Sequence, residues 1–281
     1  MLIIFLFVTV IMAGVYAVCM YNNLGWASVV IALLFSVVPA VIGYYQCDKM
    51  VLAINAARPA TPEQDLLLST VLDNLCIASG LPRPKLYVIQ DNAPNAFATG
   101  RDPNHAVICV TTGLLNKLDK YELEGVIAHE LAHIKNYDIL ISTIVTVFVG
   151  LVLILSDWFI RMSFRSSGKK DNKAGGAITL VAIAFLILSP IFATLMQLAI
   201  SRKREYLADS TAIEFTRNPK GLIGALKKIS GDQENLQVAN KSTAHMYIVN
   251  PFVNKRNRAK DSLMSTHPCM ENRIKALENI H

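Results

Sequence analysis

Charge is what this sequence of 281 residues has least of. Asp, Glu, Lys and Arg make up 17% of it and apolar residues 53%, against about 25% and ~45–50% in soluble domains. Few charges with many apolar groups exclude intrinsic disorder. Only 14 Gly and 11 Pro are present, which excludes a collagen-like or low-complexity chain, and no internal repeat is visible. The five cysteines (Cys19, Cys47, Cys76, Cys109, Cys269) are odd in number and scattered, with no C-x-x-C pair. That excludes a disulfide framework and a cysteine zinc site, and suits a reducing compartment. The formal net charge is +6, yet no basic stripe interleaved with aromatics accompanies it, so nucleic acid is not an expected partner. Membrane proteins are often basic because Lys and Arg gather in their cytoplasmic loops.

The apolar excess is concentrated in four blocks. A hydrocarbon core of about 30 Å needs roughly 20 apolar residues in a helix. Met1–Met20 and Leu24–Tyr45 carry no charge, Ile139–Ile160 carries one acid (Asp157), and Ala177–Ile200 is uncharged with Pro190 as the expected kink. Met1–Met20 lacks the basic n-region of a signal peptide and is too long for its apolar core. The expectation is an α-helical multi-pass membrane protein with four transmembrane helices. Residues 1–45 form one hairpin and 139–200 a second, the latter with a polar linker at Ser163–Gly176. Residues 46–138 and 201–281 are then two parts of one water-facing domain.

That domain reads as α+β. Thr61-Pro62-Glu63-Gln64 is a capping box with Pro at the first helical position. The helix it opens, with Leu66, Leu67, Val71, Leu72, Leu75 and Cys76 as its apolar stripe, is expected to stop near Gly80-Leu81-Pro82. Lys85–Ile89, Asn95–Thr99 and His105–Thr111 read as strands. Asp119 with Glu122 is a second capping box, opening a helix expected to run on into Ile139–Ile160.

That helix carries His129-Glu130-Leu131-Ala132-His133. Histidines at i and i+4 share one helical face, so both imidazoles can reach one Zn²⁺ at about 2.0–2.1 Å. The intervening glutamate is left free to work on water beside the metal. A catalytic zinc site keeps three protein ligands. Glu205 and Asp209, again i and i+4, supply candidates, one to ligate and the other to brace a histidine. His133 lies six residues before the third apolar block and Glu205 five after the fourth. An antiparallel pair of crossings would return Glu205 to the membrane face that His133 left.

Four segments taken in order resemble the HtpX-type membrane zinc metalloproteases, bacterial relatives of the CAAX prenyl endoproteases. They are Asn95-Ala96-Phe97-Ala98-Thr99-Gly100, His129–His133 with Asp138, Ser201–Asp209, and Thr266-His267-Pro268 with Glu271 and Arg273. The resemblance covers nearly the whole chain. It implies a gluzincin-type core holding one zinc ion per chain, with His129, His133 and Glu205 as ligands and Glu130 as general base. It further implies that Asp209 orients a ligand histidine, that His267 stabilises the oxyanion, and that Arg273 supports the loop bearing His267. Asn95, Ala96, Phe97, Ala98 and Thr99 would be the edge strand on which a polypeptide substrate is laid. Cys269 departs from the second proline common in the family, which bears on the stiffness of that loop. The implied activity is an endopeptidase of the bacterial inner membrane whose site faces the cytoplasm, cutting misfolded or damaged membrane proteins. The other reading is a catalytically silent metal-binding scaffold in the membrane, against which an intact Glu130 argues. Lys49, Arg58, Lys135 and Arg202–Arg204 put positive charge on the catalytic side. Arg161, Arg165, Lys169, Lys170 and Lys173 put nearly as much on the other, so charge alone leaves the second hairpin nearly undecided.

Overall fold

The structure, a computed structural model, describes residues 25–146, 202–234, 236–237, 243–249 and 268–280, with positions 9, 12, 13 and 16. Most of Met1–Met20 and Ile139–Ile160, all of Ala177–Ile200, the linker Ser163–Gly176 and His267 lie outside the described residues. The chain divides into two compact units, residues 1–47 with 144–196, and residues 48–143 with 197–281.

The described part of the first unit is mainly the helix α1 (Ala27–Ile54), whose residues to Cys47 belong to it. No charged residue occurs before Asp48, and Val30, Leu33, Leu34, Val37, Val41 and Ile42 are exposed. Among the described residues no helix is long and apolar enough to cross a membrane.

The second unit is built on four strands: β1 (Arg58–Pro59), β2 (Lys85–Ile89), β3 (Ala96–Gly100) and β4 (Ala106–Thr111). They lie in the order β1-β2-β4-β3, antiparallel except for the parallel pair β2–β4. The strand expected at Asn95–Thr99 is thus an edge strand, displaced by one residue. Gly100 closes the turn to β4 at φ 141°, and a Cβ there would lie 2.3 Å from the His105 carbonyl oxygen. Antiparallel pairing alternates which residues bond across the ladder. With the Thr111 amide on the Asn95 carbonyl, the register turns Ala96, Ala98 and Gly100 outward. Much of that outer edge is already paired. Asn95 Oδ1 accepts from the Ala96 amide, Thr143 Oγ1 accepts from the Gly100 amide, and the Ala96 carbonyl accepts from the Ile248 amide.

Helices cover the sheet. α2 (Pro62–Ser79) carries the expected Thr61–Gln64 capping box and ends on Gly80 in the left-handed region. Its buried stripe is Leu68, Val71, Leu72 and Leu75; Leu66 is 75% exposed and Leu67 40%. This corrects the expectation for Leu66 and Leu67: in a run of three leucines only Leu68 completes the i, i+3, i+4, i+7 face. The short α3 (Thr112–Lys117) leads into α4 (Lys120–Lys135), capped by Asp119 and Glu122 as expected. Among the described residues the unit further includes the helices α5 (Arg202–Thr216), α6 (Pro219–Gly231) and α7 (Met270–Glu278).

α4 is central, packed on α2, α5, α6 and β3. Gly125, Ala128 and Ala132 stand between Leu123, Ile127 and Leu131, all of them buried, so the middle of the helix is covered on nearly every side. Gly125 and Gly221 let α4 and α6 touch through their backbones: a Cβ at Gly221 would lie 2.4 Å from the Tyr121 carbonyl oxygen. The expected continuation of α4 into the third apolar block is corrected here. The helix stops at Asn136, Tyr137 takes φ 59°, and helix resumes at residue 138. A left-handed tyrosine costs roughly 1–2 kcal/mol, so tertiary contacts have overridden the local helical signal.

Candidate active site

Deep burial of α4 decides the chemistry of the groups it carries. His129 is 1% and Glu130 2% exposed, and Glu205 and Asp209 on α5 are each 2% exposed. Buried charges must be paired or hold a metal. The His129 and His133 Nε2 atoms are 3.2 Å apart. Glu205 completes the triangle, with Oε2 3.6 Å from His129 Nε2 and Oε1 3.7 Å from His133 Nε2. Tetrahedral zinc with bonds of about 2.05 Å separates its ligand atoms by about 3.3 Å. The three side chains therefore already sit at nearly the spacing one zinc ion requires, and they can hold a metal.

The other ring nitrogens are also engaged. His129 Nδ1 lies 3.0 Å from Asp209 Oδ1, and His133 Nδ1 lies 3.0 Å from Asp138 Oδ2. Arg273, on α7 and fully buried, donates to both oxygens of Asp209, from Nη2 at 2.6 Å and Nε at 2.9 Å. Its Nη1 is 3.2 Å from Glu205 Oε2. Arg204 reaches Asp138 Oδ1 from its Nη1 at 3.0 Å. Four carboxylates (Glu130, Asp138, Glu205, Asp209) thus face two guanidinium groups, and a divalent cation would bring the cluster to neutrality.

Burial raises the Glu130 carboxyl to about 7; His133 opposes this, Glu205 adds to it, and the Ala98 amide donates a hydrogen bond that lowers it. Burial works against a charged His133, but the Asp138 hydrogen bond and the charges of Glu205 and Glu130 outweigh it and push that imidazole up to about 9. His129 shifts down, through burial first and then the Arg273 charge, against the pull of Asp209.

The cavity over these groups is lined by Ala98, Ser142, Arg204, His245, Met246 and Ile248 beside the histidines and glutamates. Of the residues expected from sequence, His129, His133, Glu130, Glu205, Asp209, Arg273 and Ala98 come together. Arg273 joins the carboxylates of the cluster; its expected support of the His267 loop concerns residues outside those described. Ala96 and Thr99 remain on β3, Phe97 turns into a second small core against Tyr247, and Asn95 binds the Val249 carbonyl. His245 received no role from sequence, since nothing local to it marks a site.

A helix bearing H-E-x-x-H, with a carboxylate from a second helix 72 residues on, matches a known family model, "Peptidase family M48", over residues 62–281. The chain belongs to peptidase family M48. Among relatives of this M48 peptidase are proteins named "Protease HtpX homolog". That of Thermoanaerobacter pseudethanolicus is 42% identical over 265 residues, covering 92% of this chain and 87% of that protein. That of Listeria monocytogenes strain HCC23 is 42% identical over 288 residues, covering 98% and 93%. A crystal structure of S. mikatae Ste24p shares the fold at a TM-score of 0.52 and 21% identity; the match covers 96% of this chain and 62% of that one. The M48 peptidase is accordingly a metalloendopeptidase, a hydrolase of peptide bonds.

Proposed function

We propose that the chain is a zinc-dependent endopeptidase anchored in a bacterial inner membrane, hydrolysing exposed segments of misfolded or damaged membrane proteins at the cytoplasmic face. The observation that carries the reading is the triangle of His129, His133 and Glu205, with edges of 3.2–3.7 Å and a buried carboxyl beside it. These three side chains hold one zinc ion, which when bound polarises the scissile carbonyl and makes water acidic. Glu130 receives the proton given up by the attacking water and returns it to the departing amine. Asp209 fixes the His129 ring, and Arg273 fixes Asp209. Substrate backbone docks along β3 near Ala98, the strand's approach to Glu130. His267 is the proposed oxyanion donor. The four apolar blocks of the sequence support four crossings, residues 1–45 and 139–200 forming the membrane part and 46–138 with 201–281 the protease.

The test is metal analysis joined to a cleavage assay on detergent-purified protein with an unfolded polypeptide. About one zinc per chain and chelator-sensitive cleavage are expected. Glu205→Ala should lose zinc and cleavage together; retention of parental zinc affinity would remove Glu205 from the ligand set. Protons compete with the metal, because a ligand histidine must be neutral. With His133 held up to about 9, zinc uptake at pH 7 displaces its proton. Apparent zinc affinity should therefore rise about tenfold per pH unit from 7 and level off above about 9. Chelator competition across that range measures it, and a flat profile would contradict it.

A further inference from the structure

Each histidine of the α4 pair has its second ring nitrogen on an aspartate, and an arginine holds each aspartate. On His129 the chain of contacts runs through Asp209 to Arg273. On His133 it runs through Asp138 Oδ2 at 3.0 Å, and from Asp138 Oδ1 to Arg204 Nη1 at 3.0 Å. The second arrangement requires the backbone to depart from helix. Five residues along an unbroken helix, position 138 would lie about 140° round from His133. The break at Asn136 and the left-handed Tyr137, φ 59°, bring its carboxylate back to the ring. Strained backbone of this kind persists where its surroundings over-determine it. Arg204 directly precedes Glu205 on α5, so one helical turn presents the proposed third ligand together with the far end of this contact chain.

We propose that Asp138 and Arg204 are positioning residues for the metal site. Asp138 fixes the orientation of His133, and Arg204 acts only through Asp138. The inference rests on the metal-site reading above. The two relays differ in depth: the Arg273 side chain is 0% exposed and the Arg204 side chain 35%. Solvent reaches the outer relay at Arg204, and Asp138, itself buried, keeps its contact to His133 when Arg204 is changed.

The experiment uses the full-length protein in detergent with Asp138→Ala, Arg204→Met, Arg204→Lys and the Ala/Met double variant. Zinc affinity is read by chelator competition, and ligand geometry by the visible absorption of the Co²⁺-loaded protein. Asp138→Ala should weaken zinc about 10–100-fold, the usual effect of losing a partner behind a ligand, and alter the Co²⁺ bands. Arg204→Met should do the same more weakly, with Arg204→Lys recovering part. The double variant should match Asp138→Ala alone, because residues acting in one chain of contacts are not additive. Parental affinity and an unchanged Co²⁺ spectrum in Asp138→Ala would overturn the proposal, as would a double variant losing the product of the two single effects. If Asp138→Ala fails to fold, Arg204→Met decides: parental affinity and bands sink the relay. Glu205→Ala separates the two levels. Loss of zinc there with none in Asp138→Ala defeats the relay alone, whereas zinc retained in both defeats the metal-site reading beneath it.

Discussion

Glu130→Gln should abolish nearly all cleavage while leaving the metal in place. The amide keeps the size of the carboxylate but cannot take a proton from water, and loss of a positioned general base costs about 10²–10⁴-fold in rate. His129, His133 and Glu205 are untouched, so zinc content should equal the parent's. The parent supplies a second signature. A base works best with a pKa near the operating pH, and burial holds Glu130 up to about 7. Because the ionised form is the active one, the parental rate should fall as pH drops through about 7. Turnover against pH, with metal content measured on the same samples, tests both statements. A Gln variant retaining a tenth or more of parental turnover would remove Glu130 from the proton-transfer role.

Arg273→Met should be the most destabilising single change in the cluster. The guanidinium is wholly buried between Asp209 and Glu205. Its charge, after burial acting the other way, heads the causes that hold the Asp209 carboxyl below its ordinary range. Removing one partner of a buried ion pair costs about 3–5 kcal/mol, since the other is left uncompensated. For a domain of this size that corresponds to a thermal midpoint lower by on the order of 10 °C. The Arg273→Met/Asp209→Asn double variant should recover part of the loss, because the stranded charge goes with its partner. Thermal unfolding of the metal-free proteins measures it; a midpoint within 2–3 °C of the parent, below ~1 kcal/mol, would show that the pair contributes little.

Legibility of this site in the sequence followed the length scale of each interaction. His129, Glu130 and His133 were readable because helical periodicity alone places them, and both capping boxes because their partners are three residues apart. Glu205 and Asp209 were readable as a pair. Which of them faces the metal depends on how α5 packs on α4, and that is not encoded locally. The engagement of Arg273 with Asp209 spans 64 positions in the chain and left no local trace. Asp138 stood in a recognised motif without a role, because its contact to His133 depends on the backbone break at Tyr137, a residue that ordinarily disfavours that conformation. Leu66 and Leu67 were misplaced for a simpler reason: three adjacent leucines fit more than one register, and only neighbours in space choose among them.

The outer edge of β3 bears on how such an enzyme stays dispersed. An open strand edge is a template on which identical chains can zip together, and on the reading proposed above the same edge receives the substrate backbone. Here Asn95 and Ile248 engage one end and Thr143 the other, and Ala98 lies between them. The Ala98 amide is itself turned to Glu130, so a neighbouring molecule meets too few free ladder groups to start a ribbon, whereas a substrate is held by the site beside the strand as well. Self-association through this strand is thereby blunted at both ends, and the enzyme's own sheet makes a poor seed for fibres.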